Sequence, residues 1–146
     1  MGTLVSKFDL EEFLPYQLAV LAERVSQKFA TLYKARFGIS VAEWRVVAHL
    51  SQSERVSVRE IHERVAMDKP KISRAATRLE ASGYLTKSEN PEDGRLVSLA
   101  LTEEGRTMMA ELVPLAEAFE RDVLRQLGQE SVRFRNVVRL LLSATE

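Results

Sequence analysis

The sequence predicts a mainly α chain with one small β-hairpin near its centre and long amphipathic helices at both ends. Three observations lead there. Apolar residues recur at spacings of three and four through residues 14–32 and again through 108–142. Three short segments, each opening on a capping residue, follow one another between residues 40 and 82. Two strand-like runs then flank the turn-rich stretch Asn90-Pro91-Glu92-Asp93-Gly94.

In the first helix, Leu14, Leu18, Leu21, Val25, Phe29 and Leu32 form one apolar stripe. Asp9 with Glu12 can cap its first turn, Pro15 is tolerated near a start or at a bend, and Gly38 stops it after Phe37. Ser40 with Glu43 introduces a second helix carrying Trp44, Val47 and Leu50. Ser57 with Glu60 introduces a third carrying Ile61 and Val65. Asp68 precedes a fourth, built on Ile72, Ala75, Ala76 and Leu79 and ended by Gly83. Residues 84–89 and 96–101 read as the hairpin strands. Thr102 then caps a long helix with Met108, Met109, Leu112, Leu115, Phe119, Val123 and Leu127 inward and Pro114 as a kink. After Gly128 a last helix places Val132 or Phe134, Val137, Val138, Leu141 and Leu142 in one stripe.

Composition narrows the functions. The 146 residues suit one domain, and 45% apolar content suffices for a core. Net charge is zero, so any footprint for nucleic acid must be local. The absence of cysteine excludes disulfides, thiolate catalysis and sulfur-ligated zinc. The first residues have neither a basic segment nor an apolar run of a secretory leader, and no stretch is long enough to span a membrane, so a soluble cytoplasmic protein is expected. His49 and His62 lack the spacing of metal ligands. The chain contains no G-x-S-x-G, Walker loop or G-x-G-x-x-G, so neither an enzyme nor a cofactor is expected.

The fourth short helix carries the binding chemistry. Lys71, Arg74 and Arg78 fall at i, i+3 and i+7 and share a face, with Lys69 in the first turn and Ser73 and Thr77 beside them. Positive charge near a helix N-terminus opposes the macrodipole, a penalty that a phosphate partner offsets. Cap, short helix, cap, basic helix, glycine stop and hairpin, in that order, describe a winged helix-turn-helix over residues 40–102.

Over nearly its whole length the chain resembles the MarR family of bacterial regulators. "ISVAEWRVVAHL" is similar to the helix before the DNA-reading pair, and "VSVREIHERVAMDKPKISRAATRLEASGYL" to the helix-turn-helix. "NPEDGRLVSLALTEEG" is similar to the wing, with Asp93, Arg95, Leu101 and Thr102 fitting the pattern D-x-R-x-x-x-x-x-L-T. The resemblance implies that the helix from Lys69 to about Ser82 enters the major groove, and that Arg95, oriented by Asp93, reaches the minor groove. Gly94 stands where many relatives carry a second arginine.

The resemblance further implies a homodimer on a palindromic double-stranded operator. Residues 9–37 and 103–144 would form the dimerisation helices, in agreement with the terminal stripes. It also implies a small aromatic or anionic effector held between those helices and the winged unit. Phe13, Tyr16, Trp44, Arg45 and His49 are the candidates, and the opening "FLPYQLAVLAERVS" looks like members linked to aromatic-acid breakdown. A ligand-responsive repressor is thus the leading expectation; an activator, an effector-independent regulator and a winged-helix protein-interaction module are the alternatives.

Overall fold

The computed structural model describes residues 7–90 and 92–146. The expected turn residue Pro91 and the first six residues of the supposed leaderless start lie outside that range. The chain runs α1 (Leu14–Phe37), α2 (Val41–Leu50), β1 (Val56–Ser57), α3 (Val58–Arg64), α4 (Lys69–Ala81), β2 (Leu85–Glu89), β3 (Val97–Leu101), α5 (Glu103–Leu127) and α6 (Ser131–Ala144). Short 3-10 turns occupy Leu10–Glu12 and Gly128–Glu130. No described helix is long and apolar enough to cross a membrane.

The caps read from the sequence define the short helices. Both Ser40 with Glu43 and Ser57 with Glu60 close reciprocal capping boxes, each serine hydroxyl accepting from the backbone N–H three residues on while the glutamate accepts from the serine N–H. A serine cap of this kind contributes about 1 kcal/mol, which matters for a helix as short as α3. Asp68 caps α4 by accepting from Lys71 N–H at 2.8 Å. At the other end of α4, Gly83 adopts φ +86° and donates to the Glu80 carbonyl while Tyr84 donates to Leu79, which satisfies the last carbonyls of the helix.

The core lies where these helices meet the sheet: Val46, Val47, Ile61, Ile72, Leu79, Leu85, Leu99 and Leu112 are all within 2% of complete burial. Three details sharpen the sequence reading. The hairpin is part of a three-stranded antiparallel sheet of order β1-β3-β2, because Val56 and Ser57 pair with Leu99 and Ser98. Two residues are too few to show alternation, so periodicity could not find β1. Asp9 caps the 3-10 turn, and α1 begins at Leu14 with Pro15 in its first turn, where the missing N–H costs nothing. As the sequence indicates, α5 is one helix with Pro114 inside it.

The long helices divide into a packed part and an open part. In α1 the buried residues are Phe29, Ala30 and Tyr33; Leu32, assigned to the stripe, is 40% exposed, and Tyr33 takes the inward place. The remaining stripe residues Leu14, Leu18 and Leu21 are about half exposed, and α6 buries no residue at all within the chain.

Candidate nucleic-acid interface

Helix α4 has two chemically opposite sides. Ile72, Ala75, Ala76 and Leu79 are buried, while Lys69, Lys71, Ser73, Arg74, Thr77 and Arg78 all face solvent. Lys69, Lys71 and Arg74 pair with no carboxylate among the described residues, so three cations near the positive end of a helix dipole stand uncompensated. Arg78 is different. Its Nε donates to Glu43 Oε1 of α2 at 3.3 Å, and it is half exposed against a carboxylate that is 11% exposed.

A residue the sequence reading missed joins this face. Lys87 of β2 donates through Nζ to Thr77 Oγ1 at 2.7 Å, and Thr77 in turn donates to the Ser73 carbonyl. Lys87 thereby adds a fifth positive charge to the four that α4 carries and ties the helix to the wing strand. Its only sequence signal was an alternating position on β2, a pattern any surface lysine shares.

The wing turn is closed by side chains. Asn90 Oδ1 accepts from the backbone N–H groups of Glu92 and Asp93, Leu96 N–H donates to the Asp93 carbonyl, and Asn90 N–H donates to Leu96. From that frame Asp93 accepts from Arg95 through both Nε, at 3.2 Å, and Nη2, at 3.4 Å, and also from the Arg95 backbone. The Arg95 side chain nevertheless remains 90% exposed. The Arg95 side chain and N–H hold the Asp93 carboxyl below its ordinary range, and the charge of Arg59 on α3 adds to this. The result is a fixed guanidinium projecting from the hairpin, level with the basic helix in sequence order but on a separate element.

The five ligand candidates fall into two groups. Trp44 is half-buried and packs between Tyr33, stacked at 5.7 Å, and the edge of Phe29 at 5.1 Å. Arg45 and His49 lie one turn apart, with His49 Nδ1–H donating to the Arg45 carbonyl at 2.8 Å. Phe13 and Tyr16 are more than 40% exposed at the start of α1. Tyr16 precedes Phe29 by thirteen residues, about 20 Å of helix, so one chain does not bring the two groups together.

Two cavities neighbour these elements. One, about 950 Å³, lies between the end of α2 and the first half of α5 and is lined by Leu50, Gln52, Leu101, Arg106, Met109 and Val113. The other, about 440 Å³, is apolar and lies among α1, α5 and α6, walled by Phe29, Phe119, Phe134, Val138 and Leu142. None of the five candidates lines either cavity.

A three-helix unit with a hairpin, a solvent-facing basic helix and a projecting arginine defines a winged helix-turn-helix protein of the DNA-binding class. Comparison with known proteins agrees. The sequence model of the MarR family matches residues 37–96. The HTH-type transcriptional repressor IacR of Pseudomonas putida is 27% identical over 127 residues, 87% of this chain and 71% of that protein. The MarR family transcriptional regulator SPO1453 from Silicibacter pomeroyi DSS-3 has a solved structure with a TM-score of 0.82 at 27% identity, covering 96% of this chain and all of that one. The PcaV regulator from Streptomyces coelicolor, solved with its natural ligand, gives a TM-score of 0.73 at 26% identity over the full length of both. The chain is thus similar to the MarR family over its winged unit and to MarR family transcriptional regulators over its whole fold.

Proposed function

We propose that the protein is a homodimeric repressor that occupies a palindromic operator and leaves it on binding a small aromatic acid or its thioester. The observation that carries the DNA-binding part is the α4 face: Lys69, Lys71 and Arg74 exposed without carboxylate partners beside Ser73 and Thr77. In this reading residues 40–102 are the reading head. Helix α4 occupies the major groove and Arg95, held by Asp93, the adjacent minor groove. Residues 9–37 and 103–144 join two such heads about one DNA turn apart, which matches them to half-sites of a palindrome.

The open apolar residues support the dimer. Leu14, Leu18 and Leu21 of α1 and Val137, Leu140 and Leu141 of α6 are each more than 40% exposed. Contiguous apolar surface of that kind on a small domain marks an interface. The effector reading rests on Trp44, Arg45 and His49, which combine a ring face with polar groups suited to a carboxylate, and on the ligand-bound likeness to PcaV. Phe13 and Tyr16 enter that site only when a second copy supplies them.

The test is duplex binding. Wild-type protein should select a palindromic sequence from a random pool, and its affinity should fall steeply with salt. A panel of benzoates and their coenzyme A thioesters should then be titrated against the bound complex, and at least one should release it. Salt-insensitive or absent duplex binding would favour a protein-interaction module, and release by none of the panel would remove the effector class.

A further inference from the structure

Glu43 occupies a place that its role as a capping residue does not exhaust. Its Oε1 accepts from Ser40 N–H at 3.3 Å, closing the capping box of α2, and from Arg78 Nε at 3.3 Å, thirty-five residues away on α4. The carboxylate is nearly buried and the guanidinium half exposed, so the acid is fixed by its surroundings and the arginine is fixed by the acid. Among the described residues, Nε is the one Arg78 nitrogen engaged in a hydrogen bond. The two terminal nitrogens, a rigid planar fork suited to a phosphate, remain on the side of α4 that also carries Lys71 and Arg74.

We infer that Glu43 is a positioning residue for DNA binding, acting through Arg78. It holds the guanidinium by its inner nitrogen so that the outer pair meets a backbone phosphate in one register. The inference rests on the reading of α4 as the DNA-facing helix and gives Arg78 within it the role of an oriented phosphate clamp. Long side chains lose rotamer freedom when fixed, and an arginine already held by Glu43 has lost part of it before DNA arrives. A phosphate contact carries no base code, but an oriented one favours the docking register in which base readers meet their partners. Glu43 therefore contributes to the preference for the matched sequence more than to overall attraction, where its negative charge opposes the phosphates.

The experiment uses the full-length protein, a duplex selected by the wild type from a random pool, and a scrambled duplex of equal length. Glu43→Gln retains an acceptor for Ser40 N–H, since glutamine also closes a capping box, and removes the charge that holds Arg78. It should lower the selected-to-scrambled affinity ratio three- to tenfold, by weakening the selected complex and not the scrambled one. Arg78→Lys has one nitrogen for two tasks; it stays with Glu43, and the slope of log affinity against log salt should flatten by about one unit per protomer. In the double variant the lysine is released from the acid, so the slope should return towards the wild-type value. Thermal melting of all three checks that the fold is kept.

An unchanged ratio in Glu43→Gln, or a double variant whose slope stays flat, would overturn the inference. Wild-type protein that binds no duplex would instead refute the DNA-facing reading of α4.

Discussion

Gly105, in the first turn of α5, lies against the carbonyl of Tyr84 so closely that a Cβ at this position would overlap the oxygen. Thr102, which caps α5, completes the joint: its hydroxyl donates to the Gly83 carbonyl at 2.6 Å and its N–H to the Tyr84 carbonyl at 3.0 Å. The turn that ends α4 and the start of α5 are thus joined at one hydrogen-bonded corner. In the proposed dimer this corner would link the joining helices to the reading heads.

Gly105→Ala should therefore cost about 1–3 kcal/mol of stability, because the atom it meets is backbone and cannot swing away. Denaturant unfolding measures this. Duplex affinity of the folded fraction should fall as well, since relief of the overlap moves the end of α4.

Charged residues on the open stripes should break the proposed dimer. Leu18→Glu combined with Leu141→Glu replaces two apolar side chains that are 48% and 41% exposed within one chain, so neither is needed for the core. Sedimentation should show wild-type dimers at micromolar concentration and monomers for the double variant, with helix content retained by circular dichroism. A wild-type monomer would contradict the role assigned to the terminal helices.

Tyr33 offers a test of the α1–α2 packing by pH. Its ring is fully buried, and its hydroxyl has no hydrogen-bond partner among the described residues. Burial pushes the phenol up to about 12, with the charge of Arg45 acting in the opposite direction. The folded state therefore keeps a proton that the unfolded chain releases at an ordinary tyrosine pKa, near 10. Stability contributed by this group is fully present below pH 10 and is lost as pH rises towards 12. Tyr33→Phe should stabilise the protein by roughly 1 kcal/mol at neutral pH, by removing a buried unpaired hydroxyl. It should also weaken the alkaline decline relative to wild type, as unfolding titrations from pH 8 to 12 would show.

Much of this architecture was written in short-range chemistry. Ser40, Ser57, Asp68 and Thr102 cap the helices they precede in sequence, and Gly38 and Gly83 adopt the positive φ that ends α1 and α4. These features act within a few residues, so the sequence displays them directly. Contacts across the chain were not legible. Nothing local to Arg78 reveals Glu43 at its inner nitrogen, and nothing local to Thr77 reveals Lys87. Periodicity marked α1 as amphipathic but could not divide its stripe into Phe29, which meets Trp44, and Leu14, Leu18 and Leu21, which stay about half exposed. The same limit grouped Phe13 and Tyr16 with Trp44 although the helix holds them well apart.

The account stands most directly on Arg74 and Arg95, which belong to different elements and are proposed to enter different grooves. Arg74 is exposed on α4 and pairs with no carboxylate among the described residues, whereas Arg95 projects from the wing with Asp93 at its base. Each should be changed to alanine and titrated against the selected and a scrambled duplex at several salt concentrations. Arg74→Ala should lose roughly 1–3 kcal/mol on the selected duplex, with relaxed preference at one position of each half-site. Arg95→Ala should weaken both duplexes nearly equally and flatten the salt dependence. Wild-type affinity in both folded variants would contradict the assignment of this surface to DNA.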